Sequence, residues 1–181
     1  MRQERGFTLI ELMIGIGLMA LLLSMAVPAL DVFTSNARQT GAVNDFVASM
    51  HIARSTAVTT NTRVTVCPTD NGQRCAAVSW DNGWIVFRDP NSNQTVDNGE
   101  TIVSSGDAID GLTIDSDEFG TFLTYRPNGR VMNASVNGSV GQFTVCDNRG
   151  SSHAKVMIVD LSGRPRYSEY QIDGSTPSCG S

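Results

Sequence analysis

Two arginines near the C-terminal end, Arg164 and Arg166 in the stretch LSGRPRYSEY, have the side-chain type and spacing to bind phosphate. Gly163 permits a tight turn before them. Pro165 fixes its own φ and pushes Arg164 into an extended conformation. Two residues apart on an extended chain, the arginines point to one side about 6.6 Å apart. That separation suits successive phosphates, which guanidinium groups bind bidentately while staying charged. Lys155, Arg149 and Arg130 would extend the patch if the fold places them nearby. The same residues also read as a β-turn whose arginines pair with Asp160, Glu169 or Asp173.

A second candidate is DPNSNQTVDNGE, residues 89 to 100. Asp89, Asn91, Asn93, Asp97 and Glu100 fall on the first, third, fifth, ninth and twelfth positions of a calcium loop. Its sixth position should be Gly and is Gln94, and its flanks read as strands, so a polar hairpin loop of turn-forming residues explains the stretch as well. No metal or cofactor is assigned on this basis. His51 and His153 are far apart in sequence and no nucleophile motif accompanies them, so the chain is not read as an enzyme.

Four cysteines lie beyond the first third of the chain, none in a CxxC pair and without a cluster of His ligands. That spacing is poor for zinc and good for disulfides. Of the three pairings, Cys67 to Cys75 across CPTDNGQRC and Cys146 to Cys179 at the tail are expected, in an oxidising compartment. Charge is unevenly spread in a chain of net charge −5. From Phe7 to Tyr125 there are 5 Lys+Arg against 13 Asp+Glu, and from Arg126 to Ser181 there are 6 against 4. The basic character sits at the C-terminal end.

The elements that must carry these residues begin with an apolar run from Phe7 to Leu30, long enough at 1.5 Å per residue to cross a membrane. Arg2 and Arg5 precede it, which keeps the N-terminus in the cytoplasm and sends the remainder across. Glu11 interrupts the run. An acid in the bilayer costs on the order of 2.5–3.5 kcal/mol and requires a cationic partner, and none lies within a helical turn. Beyond Pro28, Val43, Phe46, Val47, Met50, Ala53 and Ala57 keep helical spacing to near Thr60, with His51 on another face. From Arg63 the period changes to two, in RVTVC, WIVFR, TIV, LTI, FLTY, QFTVC and KVMIVD, separated by Gly/Asn/Asp/Pro clusters. The architecture expected is α+β, a long helix packed by its second half on one antiparallel, hairpin-rich sheet.

The stretch RGFTLIEL resembles the class III signal of type IV pilins and type II secretion pseudopilins. DNGWIVFRDPNSN, YRPNGR, FTVCDNRG and KVMIVDLSGRPR resemble the minor pilins of the FimT/FimU type, related to the H-class pseudopilins. The resemblance implies the type IV pilin fold. It implies that a prepilin peptidase cuts after Gly6 and methylates Phe7, and that Glu11 pairs with the new α-amino group during filament assembly. The divisions expected are a leader over 1–6, a membrane and filament-core helix over 7–30, an amphipathic helix over 31–60 and a β-rich head over 61–181. The subunit would wait in the inner membrane, head in the periplasm, and then join other major and minor pilins in an extracellular pilus. The Gly-Arg-x-Arg match at Gly163, Arg164 and Arg166 resembles the tail of FimT-like pilins, implying non-specific binding of double-stranded DNA for natural transformation. A structural minor pilin or H-class pseudopilin that binds only other pilins is the alternative.

Overall fold

The structure is a computed structural model and describes residues 7–133 and 140–180. The leader 1–6, with Gly6, lies outside the described residues, as does the side chain of Pro28. One helix, α1, runs from Leu9 to Thr60. Its start is fixed by a capping box: the Thr8 amide and hydroxyl donate to Glu11 Oε2 at 2.9 and 3.0 Å, and the Glu11 amide donates to Thr8 Oγ1 at 3.3 Å. This local partner of Glu11 was readable from the Thr-x-x-Glu spacing and is additional to the cation expected above. The helix is long and apolar enough to cross a membrane, and its large apolar side chains from Leu9 to Phe33 are exposed.

Compactness divides the chain into residues 1–38 and a head from Gln39 to Ser181. Within the head α1 buries one stripe, Ala42, Val43, Phe46, Met50, Ala53 and Ala57, with His51 exposed on another face. Among the described residues nine strands follow: β1 Val64–Pro68, β2 Trp84–Arg88, β3 Ile102–Gly106, β4 Leu112–Asp115, β5 Leu123–Tyr125, β6 Val131–Asn133, β7 Gly141–Asp147, β8 Lys155–Val159 and β9 Pro165–Ser168. All pairings are antiparallel.

The strands make two sheets rather than the single sheet expected, in the orders β3-β2-β1-β5-β6 and β4-β7-β8-β9. Period-two patterning tells which face of a strand is apolar but not which strand lies beside it. Both sheets turn apolar faces to the same helix stripe. The first gives Val64, Val66, Trp84, Val86, Leu123 and Tyr125 to the core, and the second gives Ile114, Phe143, Val145, Met157 and Val159. Phe46 is the knot between them, in edge-on contact with Trp80, Trp84 and Phe143 at centroid distances of 5.6, 4.8 and 4.8 Å. Buried Gln39 adds a polar tie to the second sheet, its Nε2 donating to the carbonyls of Val145 and His153.

The central strand β1 is buried throughout, because its other face has its own small core of Cys67, Ile85 and Phe87. The Cys67–Cys75 and Cys146–Cys179 disulfides expected from the sequence are both present. Phe46→Ala should destabilise the head, residues 31–181, by about 3–5 kcal/mol in urea unfolding, whereas His51→Ala should leave it within about 0.5 kcal/mol of wild type.

Candidate functional site

The arginine turn is built from the ends of β8 and β9. The Gly163 amide donates to the Asp160 carbonyl at 2.8 Å, closing the turn. Asp160 Oδ1 accepts from the Ser162 amide at 2.8 Å and hydroxyl at 2.5 Å. Arg166 then pairs with Ile158 and Pro165 with Val159. The extended conformation expected here is a strand, β9. Proline is admissible because it opens an edge strand and owes no ladder donor at that position. Arg164 and Arg166 are both exposed.

Gly163 has φ +71°, and a β-carbon there would lie 2.2 Å from the Gly129 carbonyl oxygen and 2.9 Å from the Tyr125 ring. The turn therefore rests directly on the β5–β6 hairpin, YRPNGR. That hairpin is closed by hydrogen bonds from the Gly129 amide to the Arg126 carbonyl and from the Arg126 amide to the Arg130 carbonyl, each 2.8 Å. It presents exposed Arg126 and Arg130. Arg54 on α1 reaches both loops, its Nε donating to the carbonyls of Gly129 at 3.3 Å and Ser162 at 3.1 Å. Arg54 and Arg126 were not singled out from sequence. The signal for Arg54 was its place one turn after Met50, beside Ala53 and Ala57 on the buried stripe, where a long cation must find a partner across the interface.

Of the six basic-site positions, the fold seats Gly163, which precedes Arg164, against Gly129, which precedes Arg130, and leaves Arg149 and Lys155 elsewhere. Lys155 opens β8, and the arginine turn follows its last residue, Val159, four residues or about 13 Å further on. Lys155 Nζ donates to Thr40 Oγ1 at 2.7 Å. Arg149 forms an ion pair with Asp147, its Nε 2.8 Å from Oδ2. The expectation that these two extend the patch is corrected, since they lie beside the opposite end of the β7–β8 pair.

The pairing of Arg164 or Arg166 with Asp160, Glu169 or Asp173 is not formed. Among the described residues the ion pairs are Arg74–Asp70 and Arg149–Asp147. Asp160 is occupied within its own turn: the Ser162 hydroxyl bonded to it holds its carboxyl below the usual carboxylate range. Backbone amides of Ser162 and Arg164 and the charge of Arg166 act the same way, against burial. For Asp147, the hydrogen bond from the Arg149 side chain is the main cause of a lowered value.

In the loop over 89–100 the acids and amides named above are hydrogen-bonded within the protein. Asp89 is fully buried and accepts from the Thr65 hydroxyl at 2.7 Å and from the amides of Asn93 and Gln94. The side-chain amides of Asn91 and Asn93 donate to Asp97, and Glu100 accepts from the Asp97 amide. Asp89, Asp97 and Glu100 form no group able to hold a metal among the described residues.

With this geometry in place, comparison with known proteins is decisive at the level of family. The family model of the type II transport protein GspH matches residues 42–163, and the prokaryotic N-terminal methylation motif matches residues 1–27. The chain belongs to the GspH family. The family match ends at Gly163, so Arg164 and Arg166 lie just beyond it. No curated protein sequence gives a match. Among solved structures, the type IV minor pilin FimU of Pseudomonas aeruginosa is similar over 75% of this chain and 92% of its own, with 19% identity and TM-score 0.58. The minor pseudopilin EpsH of the Vibrio cholerae type II secretion system aligns over 80% of this chain and 98% of its own at 9% identity and TM-score 0.49. The FimU likeness establishes the fold, a long N-terminal helix with antiparallel sheets, as in type IV pilins and pseudopilins. A GspH-family chain with this motif is a structural filament subunit, a minor pilin or pseudopilin, anchored in a membrane by its apolar helix.

Gly163→Ala should cost about 1–3 kcal/mol through forced positive φ and the clash with Gly129, read as a lower thermal midpoint of the head. Asp147 and Asp160 have folded-state values below their unfolded value of about 4. Their contribution is complete above that value and is lost as pH falls through the folded values. The thermal midpoint should therefore drop as pH falls below about 4, with a shallower drop in Asp147→Asn.

Proposed function

We propose that this subunit is a minor pilin whose head binds double-stranded DNA, without reading sequence, through the arginine turn Gly163–Arg166 and the neighbouring Arg130. The observation that carries this reading is the contact of two arginine-bearing loops at one place, in the net-basic end of an acidic chain. Arginine forks suit phosphate oxygens, and the turn's own acid, Asp160, is hydrogen-bonded by Ser162 and forms no ion pair with Arg164 or Arg166 among the described residues. DNA so held would be drawn in for natural transformation as the pilus retracts. Assembly uses the other end of the chain. A prepilin peptidase removes residues 1–6 after Gly6 and methylates Phe7, the inner membrane holds the helix with the head in the periplasm, and Glu11 pairs with the new amine as the subunit joins other pilins.

The family description favours a second reading, a structural minor pilin or H-class pseudopilin, because the matched region does not include Arg164 or Arg166. Gel shift of duplex DNA by the head, residues 31–181, separates the two. Wild type should shift DNA at moderate salt, and Arg164→Ala with Arg166→Ala should abolish the shift. Equal binding by the variant, or none by wild type alongside capture of a partner pilin, rejects the DNA reading.

A further inference from the structure

We infer that Arg54 is a positioning residue for the proposed DNA site, a clamp on α1 that holds the hairpin and the arginine turn in one arrangement. The inference rests on the DNA-binding reading and adds a residue from a third element to it. The hairpin belongs to the first sheet and the arginine turn to the second, and no ladder joins the sheets among the described residues. Where the two loops meet, the carbonyls of Gly129 and Ser162 both turn toward a single donor, Arg54 Nε. Without that donor, the part-buried Gly129 carbonyl would lose its bond and the exposed Ser162 carbonyl would turn to water, which favours separation of the loops.

Among the described residues no other hydrogen bond at the seam joins the two loops. Tyr125 packs its ring beneath Gly163, but its hydroxyl is buried with no hydrogen-bond partner among the described residues. The remaining contact is van der Waals, glycine on carbonyl and ring, and it holds only while the loops stay pressed together. The guanidinium is also packed against the hairpin, since a β-carbon on Gly129 would stand 3.1 Å from Arg54 Nη2. Arg54 therefore sets the spacing between Arg130 on one loop and Arg164 and Arg166 on the other, and phosphate contacts from both loops form together only at that spacing.

The test compares wild-type head, residues 31–181, with Arg54→Met and Arg54→Lys, by amide hydrogen exchange and by affinity for a 20-base-pair duplex. The buried core lies wholly within Ala42–Val159, so the head carries its own core and the clamp is not part of it. Arg54→Met should speed exchange at Gly129 and Gly163 at least tenfold, leave exchange in β1 and β7 unchanged, and weaken duplex binding at least tenfold. Arg54→Lys, which keeps the charge without the planar fork, should restore less than half of the lost affinity on a logarithmic scale. Unchanged exchange with weaker binding and full rescue by lysine would make Arg54 a phosphate contact, not a clamp, and overturn the inference. Faster exchange with unchanged affinity would overturn it too. If wild-type head binds no duplex, the DNA reading fails, while the exchange comparison still decides whether Arg54 clamps the loops.

Discussion

Two sheets with no hydrogen-bonded ladder between them among the described residues are joined in this head by a third element buried against both, and α1 is that element. Phe46 meets this constraint most directly, touching Trp84 of the first sheet and Phe143 of the second within one aromatic cluster. Burial of such rings contributes on the order of 1.5–3 kcal/mol each. The polar tie from Gln39 fixes the helix against the second sheet. Every later feature of the head, including where loops from opposite sheets meet, follows from how the two sheets close over this helix stripe.

The arginine site lies at such a meeting point. The hairpin after β5 comes from one sheet, the turn after β8 from the other, and Arg54 rises from the helix beneath them. Glycine is required at 163 for two separate reasons, positive φ and the proximity of the Gly129 carbonyl. Asp160, the acid best placed to neutralise the arginines, is engaged by Ser162. The turn thus keeps exposed positive charge in a chain that is acidic elsewhere, and charge of that kind attracts a polyanion at long range before any contact forms.

Much of this was legible in the chain. The helical spacing from Val43 to Ala57 named the buried stripe, because a helix covered on one side must be apolar at that period. Alternating residues located seven strands, and turn-forming residues between Cys67 and Cys75 marked a closed loop. What local pattern could not supply was adjacency. Val131–Asn133 is too short to show a period, and Pro165–Ser168 disguises an edge strand behind a proline and an arginine. The split into two sheets depends on which strands pair across long separations, such as β1 with β5. The same gap explains the basic residues: the loop of Arg130 and the turn of Arg164 meet through tertiary contact of Gly163 with Gly129, whereas Arg149 is carried to the other end of the strand pair and bonded to Asp147.

Family membership identifies the filament subunit, and its matched region stops at the residue where the arginine turn begins its exposed charge. The individual contribution of this subunit is therefore argued from geometry beyond that limit. Amide chemical-shift mapping of the 15N-labelled head during titration with a short duplex tests the central claim most directly. The account predicts shifts confined to Gly129–Arg130 and Ser162–Arg166, with the amides of Arg149, Lys155 and residues 89–100 unmoved. Shifts centred on Arg149 and Lys155, or none at saturating duplex, would contradict it.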